Sequence, residues 1–171
     1  ALYYARSNAV EKDYIITKNN LKEILNSAIL KNKTTLLNQK VTLELKELEQ
    51  EVYTDSKWAT FIINQIIQNA IKYSKESDKK IEIYSESKND KIILYIEDNG
   101  IGIRKGEITR VFERGFTGEN GRKIGKKSTG IGLYLCKKLC DKLGLGIELN
   151  SEKDKGTQVR IIFPKNSYTN F

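Results

Sequence analysis

The sequence predicts an α/β (α+β) fold: a two-layer sandwich with a mixed β-sheet of about five strands, covered on one face by about three helices. Segments with two-residue apolar alternation occur in neighbouring pairs, as the strands of hairpins do, and segments with a 3.6-residue apolar period separate them. The chain has 171 residues, enough for one domain that buries about two thirds of its unfolded surface. We therefore expect a single domain with a sizeable core.

The predicted elements follow these two periods along the chain. Apolar residues at spacings of three and four predict a first helix over residues 17–31, and two alternating segments at 41–47 and 51–53 predict a hairpin after it. The later elements, in chain order, are a helix over 61–74, strands over 80–85 and 91–97, a short helix over 105–112, a mobile lid over 115–127, a helix over 130–143, and strands over 146–151 and 157–163. Glycines and charged residues are frequent in the lid segment, which leaves it little apolar surface to bury.

The predicted helix over 61–74 has two distinct faces. Its apolar stripe consists of Ile62, Ile63, Ile66, Ile67 and Ala70. Gln65, Asn69 and Lys72 gather on the opposite side. An amide oxygen at Asn69 suits Mg²⁺, which borrows its remaining ligands from water and substrate phosphates, and Lys72 could contact the same phosphates. A solvated polar face on an ordinary amphipathic helix explains the segment equally well.

Asp98 follows an apolar strand over residues 92–96 and precedes two glycines, Gly100 and Gly102. Its carboxylate only accepts hydrogen bonds, so it could take one from an exocyclic amino group, and the glycines would let the backbone approach a flat ring. Adenine fits this arrangement better than guanine. Considered alone, however, Asp-Asn-Gly is also an ordinary turn at the end of a strand.

Two later segments could also contact a nucleotide. In residues 128–135, Gly130 and Gly132 lie where a turn enters a helix, and the free N–H groups of such a junction attract phosphate. A helix start with close packing would produce the same pattern, because two glycines are weakly specific. Residues 111–116, with the sequence Val-Phe-Glu-Arg-Gly-Phe, lead into the predicted lid.

In this order and spacing, residues 61–74, 98–103, 111–116 and 128–135 resemble the N, G1, F and G2 boxes of the catalytic ATP-binding domain of sensor histidine kinases. This domain belongs to the wider superfamily that includes gyrase B, the heat-shock chaperone ATPase and the mismatch-repair protein MutL. The resemblance covers roughly residues 15–165 and implies the same two-layer sandwich. Four ordered boxes are far more specific than any one of them.

The resemblance also implies roles for particular residues, with ATP and Mg²⁺ as cofactors. Gln65, Asn69 and Lys72 would be catalytic, with Asn69 and Gln65 on the metal ion and Lys72 near phosphate. Asp98 would bind the adenine amino group. The implied nucleotide-binding residues are Asn69, Lys72, Tyr73, Asp98, Gly100, Gly102, Ile103, Phe112, Arg114, Phe116, Ser128, Thr129, Gly130, Ile131, Gly132 and Leu133.

Two positions depart from the commonest family pattern. Gln65 stands where many of these kinases carry Asn, and Ser128 stands where many carry the first glycine of the third glycine motif. Ser128 requires an ordinary backbone conformation, which bears on the lid geometry. Superfamily members that hydrolyse ATP use an acidic side chain at the position of Gln65 as a base, and an amide cannot take up a proton near neutral pH. A histidine acceptor needs no such base, so phosphoryl transfer fits better than hydrolysis.

The chain contains no histidine, so the expected acceptor must lie elsewhere. Residues 1–14 resemble the end of the second helix of the dimerisation and phosphotransfer domain, and residues 15–171 the catalytic domain. The resemblance implies three partners: the histidine-bearing dimerisation domain, the receiver domain of a response regulator, and a transporter beside the intact protein. It implies a homodimeric parent, while this stretch alone would be monomeric because the dimer interface is missing.

Residues 53–58, 112–122 and 128–135 are similar to those of short, membrane-anchored kinases that respond to envelope stress and peptide antibiotics. We therefore expect a cytoplasmic domain of a cell-membrane protein. No apolar run in this sequence approaches the roughly 20 residues of a membrane span. Cys136 and Cys140, four residues apart among leucines, are expected to pack in the core as reduced thiols.

Composition argues against nucleic acid as a partner. The net charge is +8, but the basic residues are dispersed among glutamates without interleaved aromatic residues, and no DNA-binding motif occurs. A basic cluster from Arg104 to Lys127 would instead attract polyphosphate. Two alternatives remain at this point: a serine kinase of the anti-sigma-factor type, which shares the fold, and a nucleotide-dependent binding module without transfer activity.

Overall fold

A computed structural model describes residues 14–116 and 132–165 of the chain. These residues form a mixed five-stranded sheet with helices on one face, and a separate two-stranded sheet. The strands are β1 (Thr17–Asn20), β2 (Thr42–Lys46), β3 (Glu51–Thr54), β4 (Lys80–Lys88), β5 (Lys91–Asp98), β6 (Gly146–Glu152) and β7 (Gly156–Pro164). The helices are α1 (Leu21–Lys31), α2 (Lys33–Asn38), α3 (Ser56–Lys72), α4 (Lys105–Ile108) and α5 (Gly132–Leu143).

The main sheet has the strand order β2-β4-β5-β7-β6. Strand β2 is parallel to β4, and the other neighbours are antiparallel. Alternate residues of the central strands, such as Leu94 and Ile96, are buried on the helix side, while Tyr84 and Tyr95 stack on the other face with ring centroids 4.6 Å apart. The predicted mixed sheet of five strands is confirmed within the described residues.

The helical layer is built around α3. This helix contacts β5 and lies between α1 and α5, and α5 in turn contacts β6. The Asp55 carboxylate caps α3 by accepting the N–H of Trp58 at 3.1 Å, and its other oxygen accepts the N–H of Ile15 at 2.8 Å. The apolar stripe predicted for α3 is buried in one continuous core with the inner face of the sheet. Cys136 and Cys140 lie in this core as free thiols, as expected.

Three details of the predicted layout are wrong. The short helix predicted over 105–112 ends at Ile108. Residues 17–20 form β1, antiparallel to β3, and the helix begins only at Leu21, because the Asn20 side chain caps it by accepting the N–H of Glu23. The segments at 41–47 and 51–53 are strands, but they do not form a hairpin with each other. Glu47 turns the chain away with a φ of 52°, so β2 pairs with β4 and β3 pairs with β1.

Several predictions concern residues outside the described ranges. Of the predicted remnant at 1–14 only Tyr14 is described, and of the lid at 115–127 only Gly115 and Phe116. No helix among the described residues is both long and apolar enough to span a bilayer.

Candidate functional site

A cavity of about 120 Å³ opens between the C-terminal half of α3, the end of β5 and the beginning of α5. Eight of its lining residues are among the predicted nucleotide-binding residues: Asn69, Tyr73, Asp98, Gly102, Ile103, Phe116, Gly132 and Leu133. Eight other lining residues were not predicted to bind a nucleotide: Ile66, Ala70, Ile96, Glu107, Val111, Leu149, Thr157 and Val159. Most of the walls are apolar with a few convergent polar groups, which is the usual character of a small-molecule site.

Asp98 is the polar group at the end of β5. Its Oδ1 accepts the N–H of Gly100 at 2.9 Å, and Thr157 lies directly opposite it on β7. Burial raises the pKa of Asp98 from 3.8 to about 6, while hydrogen bonds from the backbone of Gly100 and Thr157 lower it. At neutral pH the group is therefore mainly a carboxylate, which accepts hydrogen bonds and donates none.

The turn after Asp98 is attached to the end of α3. The N–H of Ile101 donates to the carbonyl of Tyr73 at 3.0 Å. Gly100 lies so near that a Cβ there would be 2.4 Å from the same oxygen. Asn99 holds the other side of the turn, since its Oδ1 accepts the N–H of Lys80 at 2.9 Å. Gly100 itself does not line the cavity; it allows the turn that carries Asp98 to approach Tyr73.

The turn between β6 and β7 closes on the same segment from the other side. The N–H of Asp154 donates to the carbonyl of Ile101 at 2.7 Å. Gly102 has a φ of 69°, and a Cβ there would lie 2.0 Å from the carbonyl oxygen of Glu152. A Cβ at Gly156 would lie 2.0 Å from the carbonyl oxygen of Asp98. Gly156 was not among the predicted site residues, although Asp154-Lys155-Gly156 before a strand is a recognisable turn signal.

Helix α3 presents its predicted residues in two groups. Asn69 and Tyr73 line the cavity, whereas Gln65 and Lys72 do not. The Gln65 amide oxygen lies near the start of α5, 3.6 Å from where a Cβ on Gly132 would be. The Lys72 ammonium group lies 5.2 Å from the centroid of the Tyr73 ring. The two amides at positions 65 and 69, one turn apart, therefore face the region between α3 and the beginning of α5.

The segment from Glu107 to Phe116 forms another wall. Phe116 lines the cavity, and the guanidinium carbon of Arg110 lies 4.5 Å from its ring centroid. Phe112 packs against the core instead, and Arg114 does not line the cavity. Glu107 lines it although the residue is only 8% exposed, and its carboxylate is 3.4 Å from the Arg104 guanidinium. The predicted nucleotide-binding residues Ser128, Thr129, Gly130 and Ile131 lie outside the described residues.

The four missed residues that lie on strands share a simple signal. Ile96, Leu149, Thr157 and Val159 occupy the helix-facing side of three neighbouring strands, in the same alternation that buries the core. Period-two alternation identifies such residues as inward-facing. It does not identify which of them are left uncovered by a helix, because that depends on where α3 and α5 end.

Comparison with known proteins agrees with this geometry. Residues 54–167 match the family described as histidine kinase-, DNA gyrase B-, and HSP90-like ATPase. The chain is 37% identical over 163 residues, 95% of its length, to the sensor histidine kinase YxdK of Bacillus subtilis (strain 168), of which it covers 50%. It is 45% identical over 118 residues, 69% of its length, to the sensor protein kinase GraS of Staphylococcus aureus (strain JH1), of which it covers 33%.

Solved structures show the same fold. The catalytic domain of the histidine kinase ThkA, in a nucleotide-free form, superposes with a TM-score of 0.75 at 22% identity, covering 88% of this chain and 96% of that one. ThkA in complex with the response regulator protein TrrA gives a TM-score of 0.75 at 18% identity, with 96% and 47% covered. The family match spans most of the chain, and the relatives named with it are sensor kinases. The chain therefore belongs to the family of histidine kinase-, DNA gyrase B- and HSP90-like ATPases, as a catalytic domain of the sensor histidine kinase type.

Proposed function

We propose that this domain binds Mg·ATP and, in the whole protein, transfers the γ-phosphoryl group to a histidine on the dimerisation domain, for relay to an aspartate of a response regulator. The observation that carries the proposal is Asp98: an acceptor-only group in a largely apolar cavity, attached to α3 through its glycine turn. A carboxylate in this setting favours a flat base that offers an amino group.

The other cavity residues would bind and orient the base. Ile96, Val159 and Ile103 form apolar walls that remove a ring from water. Tyr73 and Phe116 place aromatic side chains at the cavity, where they could pack against the base or ribose. The phosphates would then extend toward the beginning of α5, where main-chain N–H groups at a helix N-terminus favour negative charge.

The residues present fit a magnesium ion. Asn69 lines the cavity and Gln65 lies one turn away toward α5, so both could supply neutral amide oxygens. No group of three or more His, Cys, Asp or Glu side chains suited to a metal occurs in residues 14–116 and 132–165, and Mg²⁺ held mainly by phosphates and water needs none. When bound, the ion would neutralise charge on the phosphates during transfer. Lys72 would contribute a positive charge near the same groups.

Transfer is proposed instead of hydrolysis because of Gln65. Its amide cannot accept a proton from water, whereas a neutral imidazole already has a lone pair for attack on phosphorus. The sequence contains no histidine, so the acceptor would come from another domain. The chain spans half the length of YxdK and a third of GraS, which leaves room in such proteins for that domain.

The proposed partners are the histidine-bearing dimerisation domain and a response regulator. The solved complex of ThkA with TrrA supports the second partner by its fold likeness. As the similarity to sensor kinases suggests, we place this domain on the cytoplasmic side of a membrane-anchored, homodimeric parent that acts beside a transporter, with residues 1–14 as the end of the dimerisation domain.

Titration calorimetry with a non-hydrolysable ATP analogue tests the proposal, with and without Mg²⁺ and with the GTP analogue for comparison. We expect micromolar, adenine-selective, Mg²⁺-assisted binding. Incubation with the histidine-bearing domain and labelled ATP should then produce an acid-labile phosphoprotein. An acid-stable label would indicate a serine or threonine acceptor, and binding without any label would indicate a nucleotide-dependent binding module.

A further inference from the structure

The hydroxyl of Ser151 connects the segments around Asp98. Ser151 Oγ accepts the N–H of Ile103 at 2.8 Å and donates to the carbonyl of Gly156 at 2.9 Å. It also lies 2.8 Å from the hydroxyl oxygen of Thr157. Ile103 and Thr157 line the cavity, whereas Ser151 does not, so any effect of Ser151 on a ligand must pass through these neighbours.

The donors and acceptors in this cluster determine the direction of the hydrogen bond between the hydroxyls of Ser151 and Thr157. A main-chain N–H only donates and a carbonyl only accepts, so Ser151 must accept from Ile103 and give its single proton to Gly156. No proton remains on Ser151 for Thr157. When all three bonds are present, the hydroxyl of Thr157 therefore donates to Ser151, and Thr157 has only lone pairs left for the cavity.

We propose that Ser151 is a positioning residue that orients the Thr157 hydroxyl, so that Thr157 and Asp98 together present only hydrogen-bond acceptors to the base. Thr157 and Asp98 lie directly opposite each other on β7 and β5. This inference rests on the proposed nucleotide site and extends it to a specificity determinant. Two neighbouring acceptors favour a base edge that carries an amino group and disfavour a carbonyl in the same place.

The chemical contrast that tests this arrangement is a 6-aminopurine against a 6-oxopurine. Adenine and hypoxanthine nucleotides share the ribose and phosphates, so their affinity ratio isolates the base end of the site. Loss of the Ser151 hydroxyl would free the proton of Thr157, which could then donate to a 6-oxo group. Ser151 thereby affects the ratio of the two affinities, whereas simple loosening of the turn would weaken both equally.

The experiment is calorimetry of the imido analogues of ATP and ITP with Mg²⁺ at pH 8, where Asp98 is ionised. We expect the adenine preference of the 171-residue chain to narrow by about three- to tenfold in Ser151→Ala, the scale of one hydrogen bond. Ser151→Thr keeps a hydroxyl and should restore the preference. In a Thr157→Val background, Ser151→Ala should cause no further change in the ratio.

Ser85→Ala is the matched control. Ser85 is a buried serine of β4 whose hydroxyl also donates to a main-chain carbonyl, that of Glu47, but it does not line the cavity. It should lower thermal stability without altering the base preference. If Ser151→Ala does not fold, Thr157→Val should narrow the preference and Thr157→Ser should keep it.

An equal loss of both affinities in Ser151→Ala, or an unchanged ratio in Thr157→Val, would overturn the role of Ser151 while leaving nucleotide binding intact. Absence of ATP-analogue binding by the unmodified chain would overturn the proposed function itself. The unmodified chain thus distinguishes the two failures.

Discussion

Gly156 approaches the main-chain carbonyl of Asp98 so closely that a Cβ at position 156 would lie 2.0 Å from the carbonyl oxygen. The φ of Gly156 is 133°, a backbone conformation that residues other than glycine rarely adopt. Two turns from distant parts of the sequence are thus in direct contact at Asp98, the residue that we propose to bind the base.

This contact predicts the effect of Gly156→Ala. The methyl group must displace the end of β5, so we expect the variant to lose about 2–4 kcal/mol of unfolding free energy and at least tenfold in ATP-analogue affinity. Gly106→Ala is the control, because no atom lies within 4 Å of a Cβ at that position. Denaturant unfolding measures the loss of stability, and calorimetry measures the loss of affinity. Equal stability and equal affinity of the two variants would contradict the predicted clash.

Asp98→Asn should abolish detectable adenine-nucleotide binding. The amide can turn its NH₂ toward the position where the carboxylate accepted a hydrogen bond, and two donors then face each other. Asp154→Asn is the matched control, since Asp154 is exposed, lies outside the cavity, and has a positive φ that Asn tolerates. Calorimetry at pH 8 provides the comparison, and unchanged affinity in Asp98→Asn would remove Asp98 from the site.

The same substitution should stabilise the ligand-free domain at neutral pH. Burial raises the pKa of Asp98 from 3.8 to about 6, so between these values the folded state holds more protons than the unfolded state. The contribution of Asp98 to stability therefore falls as the pH rises from about 4 to about 6. We expect the unfolding free energy of Asp98→Asn to exceed that of the unmodified chain by on the order of 1–3 kcal/mol above pH 6, and by much less near pH 4.

Urea unfolding of both proteins at several pH values measures this difference. A stability advantage of Asp98→Asn that is the same at pH 4 and pH 7 would show that ionisation of Asp98 does not cause it. Asp154→Asn again provides the baseline, because it makes the same chemical change outside the cavity.

Asn69→Ala should reduce the contribution of Mg²⁺ to nucleotide affinity while leaving metal-free binding nearly unchanged. The amide oxygen of Asn69 would be lost from the metal site, whereas the base end of the cavity would remain intact. Gln68→Ala removes an exposed amide from the next position of the same helix and should have no effect. Calorimetry with and without Mg²⁺ measures this contribution. If Mg²⁺ raises the nucleotide affinity of Asn69→Ala as much as that of the unmodified chain, Gln65 would be the metal ligand instead of Asn69.

Local patterns predicted most of the elements because helix and strand periods depend on neighbouring residues. The stripe from Ile62 to Ala70 predicted α3, and the alternation after Lys80 and Lys91 predicted the central hairpin. The pairing between strands that are distant in the sequence could not be predicted from these patterns. The two alternating segments around Leu45 and Val52 were identified as strands, but their partners are set by contacts that local patterns do not encode.

The residues at the cavity also fall into those that local motifs predicted and those that only strand pairing brings there. Asp98, Gly102 and Asn69 were identified because each belongs to a short motif whose residue types suggest nucleotide chemistry. Thr157 and Gly156 were not, since both lie on a strand that reaches the cavity only through its pairing with β5. Their residue types are ordinary for a turn and a strand, and only their position brings them to the cavity and to Asp98.

By itself, the sequence determined the fold class and the family, and it predicted candidate residues for an adenine nucleotide, because periodicity and ordered motifs depend on residues that are close in the chain. Only the tertiary structure decided which side chains line the cavity. It also showed that Ser151, Thr157 and Gly156 meet the Asp98 turn. The physical reason is that burial and hydrogen-bond partnership depend on residues 59 to 73 positions apart in the chain, which the pairing of β5 with β7 brings together.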